Sequence, residues 1–391
     1  MKYHFDEIID LRNTNSLKYD FAAERGKPEG LIPLWVADMD FRTAPSVAEA
    51  LLQSAGHAIF GYSEVKRNGD YFHALQNWFD KRFHFRIEPD WVVKTPGVVY
   101  AVCAAINAFT QPGESVMIQT PVYHPFKSSI EANGRRLVTN SLVYANGQYQ
   151  IDVHDFEHQI VRHKVKLFIL CSPHNPVGRV WTKDELTQMG ELCQKHGVFV
   201  VSDEVHCDFV YEGHVHTVFG TVNETFLHHA MICTSPSKTF NLAGLQSANI
   251  FIADTPLRRR FQNEMIKTGC SHLNTMGLVA CQAAYAGGGE WLAELLAYLA
   301  GNYAFAKEFV ANEMPNLRLA KLEGTYLLWL DLNACVFSEA ELDRLIVNKA
   351  GLWVDNGRIF GEEGAGFIRI NMAVPRSILQ QAFDQLAKAL P

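Results

Sequence analysis

The segment Ser235-Pro236-Ser237-Lys238-Thr239-Phe240-Asn241 places one lysine just beyond an apolar run, Ala230-Met231-Ile232-Cys233, and brackets it with hydroxyls. An amine in that position can attack a carbonyl and form an imine, provided desolvation or a nearby positive charge lowers its pKa. The end of a buried strand in an α/β protein supplies such a setting, and Ser235 and Ser237 are suited to hold an anion such as a phosphate. The same S-x-x-K pattern also arises where an ordinary surface lysine opens a loop, so Lys238 takes its meaning from its neighbours.

Several neighbours are suited to the same chemistry. Asp203 ends the buried strand pattern Val198-Phe199-Val200-Val201-Ser202-Asp203, and a buried carboxylate is costly without a cation beside it. Asn175, in Ser172-Pro173-His174-Asn175-Pro176-Val177-Gly178, can donate its amide to a ring oxygen, or serve only as a turn residue before proline. Gly97-Val98-Val99 opens a helical pattern after Lys94-Thr95-Pro96, so free amides and the positive end of the helix dipole can hold a phosphate. Tyr123, in Thr120-Pro121-Val122-Tyr123-His124-Pro125, can stack on an aromatic ring or plug an interface between lobes. Arg369 interrupts the apolar strand pattern Gly366-Phe367-Ile368-Arg369-Ile370-Asn371. A buried guanidinium requires an anion, either a substrate α-carboxylate gripped by two parallel hydrogen bonds or a structural carboxylate. A lysine for an imine, a carboxylate for a pyridine nitrogen, a donor to the ring hydroxyl and a phosphate cup are the parts of a pyridoxal phosphate site.

These residues are far apart in sequence, so the elements between them must bring them together. Val165 to Cys171 reads as a buried strand. Thr182 then caps a helix with Glu185 three residues on, Leu186, Met189, Leu192 and Cys193 form its apolar stripe, and Gly197 ends it before the Asp203 strand. This βαβ unit predicts parallel strands, and in such sheets ligand groups gather at the carboxyl ends, where Asn175, Asp203 and Lys238 each follow a strand. Val98 to Phe109 reads as a helix and Ser115 to Thr120 as a strand. From about Glu290, helical stretches (Trp291 to Glu308, Glu339 to Lys349, Arg376 to Ala389) surround short strands (Tyr326 to Leu332, Gly366 to Ile370). That pattern predicts a small α+β lobe with which residues up to about Pro45 pack. The expected division is 1–45 with the small domain, 46–288 as the large domain and 289–391 as the small one.

The 391 residues suffice for two such lobes, and 48% hydrophobic with 20% charged residues is an ordinary globular balance. A net charge of -7 argues against a nucleic-acid partner, and Arg258-Arg259-Arg260 reads as a solvated helix face. The acidic start and the shortness of the longest apolar stretch argue against a signal peptide and a membrane span, which predicts a cytoplasmic protein. The eight cysteines lie singly in apolar segments without C-x-x-C spacing, as small core residues in a reducing compartment. His206, Asp208, His214 and His216 lack the completing thiols of a metal site, so no metal is expected. No G-x-G-x-x-G follows a strand and no G-x-x-x-x-G-K-[ST] occurs, which argues against a nucleotide-dependent enzyme.

In order and spacing the whole chain resembles the fold-type I pyridoxal phosphate enzymes of the class I/II aminotransferase superfamily. Trp35-Val36-Ala37-Asp38-Met39-Asp40-Phe41, Phe60-Gly61-Tyr62-Ser63, Ser202-Asp203-Glu204-Val205-His206-Cys207-Asp208 and Phe360-Gly361-Glu362-Glu363-Gly364-Ala365-Gly366-Phe367 are similar to the MalY/PatB-type cystathionine β-lyases. The resemblance implies an α/β fold, with a large domain built on a mostly parallel seven-stranded sheet of the aspartate aminotransferase type. It implies that Lys238 carries the cofactor as an imine, that Asp203 pairs with the ring nitrogen, and that Arg369 binds the substrate carboxylate with help from Asn175 and the backbone near Ala37. It further implies a homodimer in which Tyr62 reaches the phosphate of the neighbouring subunit's cofactor. His206 stands where many aminotransferases have a tyrosine bonded to the ring oxygen. Two positions depart from the pattern: Gln246 replaces a common phosphate-binding arginine, and Ala373-Val374-Pro375-Arg376 replaces Ala-Cys-Pro-Arg. The implied activity is β-elimination of cystathionine or another cysteine S-conjugate to a thiol, pyruvate and ammonia. Its rivals are an aminotransferase on the same scaffold and a regulatory or binding protein that keeps the fold.

Overall fold

Seven extended segments between residues 92 and 251 are too short for helices, and all but Arg136–Ser141 are largely buried on both faces. In the computed structural model, which describes residues 2–65, 68–335 and 337–390, they form one seven-stranded sheet. Its strands are β1 (Val92–Thr95), β2 (Ser115–Thr120), β3 (Arg136–Ser141), β4 (Leu167–Cys171), β5 (Phe199–Asp203), β6 (Ala230–Thr234) and β7 (Ala248–Phe251), in the spatial order β1-β7-β6-β5-β4-β2-β3. Only β7 runs antiparallel to its neighbours.

Helix α1 (Val98–Phe109) covers one face of this sheet, where Ala101, Val102, Val116, Ile118, Val201 and Met231 form a core of their own. The opposite face presents Met117, Phe168, Val200 and Ile232 to a larger core that continues to Phe79, Trp291 and Trp329. Helix α2 (Lys183–Lys195) starts on the expected capping box of Thr182 and Glu185 and links the parallel strands β4 and β5. Cys171 pairs with Asp203, and Asp203 with Cys233. The loops that carry Asn175 and Lys238 therefore leave the sheet from the same edge as Asp203.

Beyond α3 (Gly289–Glu313) lies a smaller antiparallel sheet of β8 (Arg318–Leu319), β9 (Leu327–Asp331), β10 (Asp355–Asn356) and β11 (Phe367–Asn371), ordered β8-β9-β11-β10, followed by α4 (Arg376–Ala389). The amino-terminal segment joins this part: Ile32–Pro33 pairs in parallel with Leu352–Trp353, and Asn371 N donates to Leu34 O. The sequence locates β9 and β11 to within a residue at each end. It misses β8 and β10, because two residues are too short to show a period of two. Glu339 to Lys349, expected as one helix, is α-helical over Glu339–Asp343 and widens to a π-helix over Arg344–Lys349.

One surface expectation fails. Arg258 is buried rather than solvated, because its guanidinium donates to the carbonyls of Ile252 and Ala253 where the chain leaves β7; Arg259 and Arg260 are exposed. The eight cysteines are all free. Among the described residues no helix is long and apolar enough to cross a membrane.

Candidate active site

At the carboxyl edge of β4, β5 and β6 the chain encloses a cavity of about 160 Å³. Ala37, Gly97, Val98, Val99, Tyr123, Asn175, Asp203, His206, Ser235, Ser237 and Lys238 all line it, so eleven of the thirteen residues singled out from the sequence meet in one place. The other two are Arg369, which sits just behind Asn175, and Tyr62, whose ring is 89% exposed outside the cavity and lies 4.6 Å from that of His272.

Lys238 follows β6 on a single helical turn, Pro236–Thr239, capped by Ser235. Its Nζ donates to Ala37 O at 2.6 Å, and Tyr326 Oη donates to the same carbonyl at 2.9 Å. Burial brings the amine down to about 8, against the pull of Asp38 and with the push of the Arg369 charge. At that value a useful fraction is neutral and nucleophilic near neutral pH.

Asp203 faces the opposite problem. Burial pushes its carboxyl up to about 7, opposed by a backbone bond from Val205 N to Oδ1 at 3.1 Å and by the Lys238 charge, and among the described residues no cation lies within ion-pair distance of it. Beside it, burial holds the His206 imidazole well below its ordinary value, so the ring is neutral, and its Nδ1 is buried without a hydrogen-bond partner. Burial likewise raises Tyr123 to about 12, which keeps the phenol neutral. Two uncharged groups, His206 and Tyr123, thus stand beside an acid without an ion-pair partner, and a buried acid of this kind is stabilised by a cation.

At the other end of the cavity Gly97 adopts φ +138°, a conformation L side chains rarely take, and turns the chain so that α1 starts with its free amides at the cavity wall. Free amides and the positive end of a helix dipole at a cavity wall can hold an anion. Ser235 Oγ donates to Ser247 O at 2.6 Å and accepts from Ser237 N at 3.0 Å, so its hydrogen is committed in this arrangement. Ser247 Oγ is buried without a partner, and Gln246 stands beside it in the wall.

Arg369 is buried on β11. Its Nη1 donates to Asn175 Oδ1 at 3.0 Å, and its Nη2 donates to Trp35 O at 2.7 Å and to Asp355 Oδ2. Both alternatives raised by the sequence thus coexist: the guanidinium has a structural carboxylate partner and also reaches a residue of the cavity. The bond from Arg369 engages the Asn175 amide oxygen as an acceptor, which leaves its nitrogen as the donor toward the cavity.

Sequence reasoning did not single out Tyr326, Ser247, Cys171 or Asp355. Tyr326 and Cys171 look like core residues in apolar strands, and only the fold brings them to Lys238 and Asp203. The possible metal cluster is dispersed: Asp208 pairs with Arg82 at 2.6 Å and His216 with Glu204 at 2.8 Å, while His206 turns to the cavity.

Residues 29–386 match the family model for aminotransferase class I and II. The chain is 39% identical to cystathionine beta-lyase PatB of Bacillus subtilis (strain 168), over 99% of this chain and 100% of that protein. It is 33% identical to protein MalY of Escherichia coli (strain K12), over 99% of each. Among solved structures it is similar to cystalysin of Treponema denticola, described as containing a pyridoxal 5'-phosphate cofactor, with a TM-score of 0.95 at 35% identity over 100% of this chain and 99% of that one. It is also similar to the PLP-bound C-S lyase of Staphylococcus hominis, with a TM-score of 0.93 at 32% identity over 99% of this chain and 98% of that one. The chain belongs to the class I and II aminotransferase family.

Proposed function

We propose that the protein is a pyridoxal-phosphate-dependent carbon–sulfur β-lyase that splits cystathionine or a related cysteine thioether into a thiol, pyruvate and ammonia. The observation that carries this reading is the pairing of a desolvated amine, Lys238, with a buried carboxylate lacking a cation, Asp203, in one cavity. The lyases named among the relatives support the choice of elimination over transamination.

The cofactor fits the residues present: a pyridinium N–H is the cation Asp203 lacks, and its phosphate suits the start of α1. When bound, the ring supplies an electron sink for the pair left behind when a Cα proton is removed. The rest falls to the chain. Lys238 would hold the cofactor through its amine, and once free that amine is the base placed to take the Cα proton. Asp203 would keep a proton on the ring nitrogen, Asn175 Nδ2 would donate to the ring oxygen, and Tyr123 and the neutral His206 would border the ring. Gly97, Val98, Val99 and Ser237 would hold the phosphate, with Ser235 fixing the turn that presents Ser237. Arg369 would take the substrate carboxylate, with help from Asn175 and the backbone near Ala37. As the Cβ–S bond breaks the thiol departs with a proton, and hydrolysis of the remaining three-carbon fragment gives pyruvate and ammonia.

Purified protein supplied with pyridoxal phosphate and cystathionine should release equal amounts of pyruvate and free thiol, without any keto acid being added. Amino transfer that requires a keto-acid acceptor, with no thiol released, would instead make it an aminotransferase.

The same proposal includes a homodimer and a cytoplasmic setting. Leu52, Ile59, Phe60 and Tyr62 form an exposed apolar stretch, which a second copy would cover while carrying Tyr62 to its neighbour's phosphate. Sedimentation at assay concentrations is expected to report twice the 44.0 kDa mass of the chain, and a mass of one chain would remove the shared site. Free cysteines throughout suit a reducing compartment. The pairing of Ile32–Pro33 with Leu352–Trp353 supports a division in which residues 1–45 and 289–391 form one unit and 46–288 the other.

A further inference from the structure

Arg369 is the proposed anchor of the substrate carboxylate, yet its hydrogens are largely committed. A guanidinium grips a carboxylate with two parallel bonds along either of two edges, Nε with Nη2 or Nη1 with Nη2. Both edges use an Nη2 hydrogen, and here one Nη2 hydrogen goes to Trp35 O and the other to Asp355. The Nε hydrogen is buried with no partner, which marks the Nε–Nη2 edge as one with a donor waiting. A bound carboxylate must therefore displace either the Trp35 carbonyl or Asp355.

The two are not equally movable. Trp35 belongs to the backbone that follows the Ile32–Pro33 pair; Leu34 N donates to Trp353 O at 2.7 Å, and the rings of Trp35 and Trp353 stack at 4.6 Å. Asp355 needs only a side-chain rotation. It lies directly opposite Arg369 across the β10–β11 pair, its carboxylate is nearly buried, and Arg369 is its only ion-pair partner among the described residues. It has the same functional group as the ligand and occupies one of the two Nη2 hydrogens on which a two-bond grip depends.

We propose that Asp355 is an internal occupant of the carboxylate anchor, which the substrate's α-carboxylate displaces from Arg369, so that Asp355 determines how tightly the site holds its substrate. This rests on the reading of Arg369 as the anchor. Burial raises the Asp355 carboxyl above the ordinary carboxylate range despite the adjacent guanidinium, as expected of an anion whose hold on Arg369 is partly offset by desolvation. Asp355 is a specificity residue on this account and takes no part in proton transfer.

The test is calorimetric titration of the cofactor-loaded enzyme with 3-(methylthio)propionate, a thioether carboxylate without an α-amine, and with the corresponding amide as control. Asp355→Asn keeps the shape and removes the competing charge. It should tighten binding of the carboxylate by about five- to tenfold while leaving the amide unchanged, and lower KM for the amino-acid thioether by more than it changes kcat. Asp355→Ser carries the same expectation if the asparagine variant does not fold. Carboxylate binding that is unchanged or weaker in these variants, while Arg369→Gln abolishes it, would make Asp355 a support for Arg369 and overturn the proposal. If Arg369→Gln binds the carboxylate as tightly as the wild type does, the anchor itself is wrong and both readings fall together.

Discussion

Lys238→Ala should lower pyruvate release from cystathionine by about a thousandfold or more, because it removes both the group that holds the cofactor and the base that takes the Cα proton. The same change should leave the fold intact. The Lys238 amine is held near 8, below its ordinary 10.5, so the folded state disfavours its charged form, and around neutral pH the buried ammonium subtracts from stability. Removing it costs one hydrogen bond to Ala37 O, which Tyr326 Oη also satisfies. The alanine variant without cofactor should thus melt within a few degrees of the wild type near pH 7. The pH dependence of cofactor uptake follows from the same group. Only the neutral amine forms an imine, so the rate at which the wild-type protein captures pyridoxal phosphate should rise as pH increases through about 8 and level off above it. Absorbance of the captured cofactor reads the rate. A variant that keeps more than a tenth of wild-type turnover would take Lys238 out of the mechanism.

The cavity was legible in the sequence to the extent that its residues follow strand ends. Asn175, Asp203 and Lys238 come after β4, β5 and β6, whose apolar runs are unambiguous, and parallel pairing places their loops along one edge. Gly97 was legible because a glycine between a strand and a helical pattern marks a turn, here at φ +138°. The resemblance to known enzymes supplied what no periodicity contains, notably the roles of Ala37, His206 and Tyr62. Residues whose importance depends on the meeting of two lobes were not legible. Tyr326 lies in β9's approach and reads as core, and Asp355 belongs to a two-residue strand with no pattern, yet they bond to Ala37 and Arg369 respectively. The Arg258 reading failed for a related reason: a charged residue on a helix looks solvated until the carbonyls it caps, at the end of β7, are known.

Asp203→Asn separates the demands of catalysis from those of folding more sharply than any other change. The asparagine occupies the same volume but cannot keep a proton on a pyridine nitrogen by charge, so the ring loses its capacity to accept electrons. Turnover should fall by about two to three orders of magnitude, the scale seen when a single preorganised electrostatic partner is removed. Stability should move the other way in the protein without cofactor. The Asp203 carboxyl titrates at about 7 when folded against an ordinary 3.8, so the folded chain holds its proton more tightly than the unfolded chain does. As pH rises from about 4 to 7 the unfolded state has already lost that proton, and the folded state pays an increasing penalty for keeping the group or for ionising it in the interior. Asparagine has no such penalty. Without cofactor the variant should melt close to the wild type near pH 4 and above it at pH 8. With pyridoxal phosphate bound the order should reverse, because the ring's cation then stabilises the wild-type carboxylate and has nothing to pair with in the variant. Scanning calorimetry at pH 4 and 8, with and without cofactor, gives the four values required. A variant that melts below the wild type at pH 8 without cofactor would mean that Asp203 is held by a partner within the chain, and its assignment to the ring nitrogen would fail.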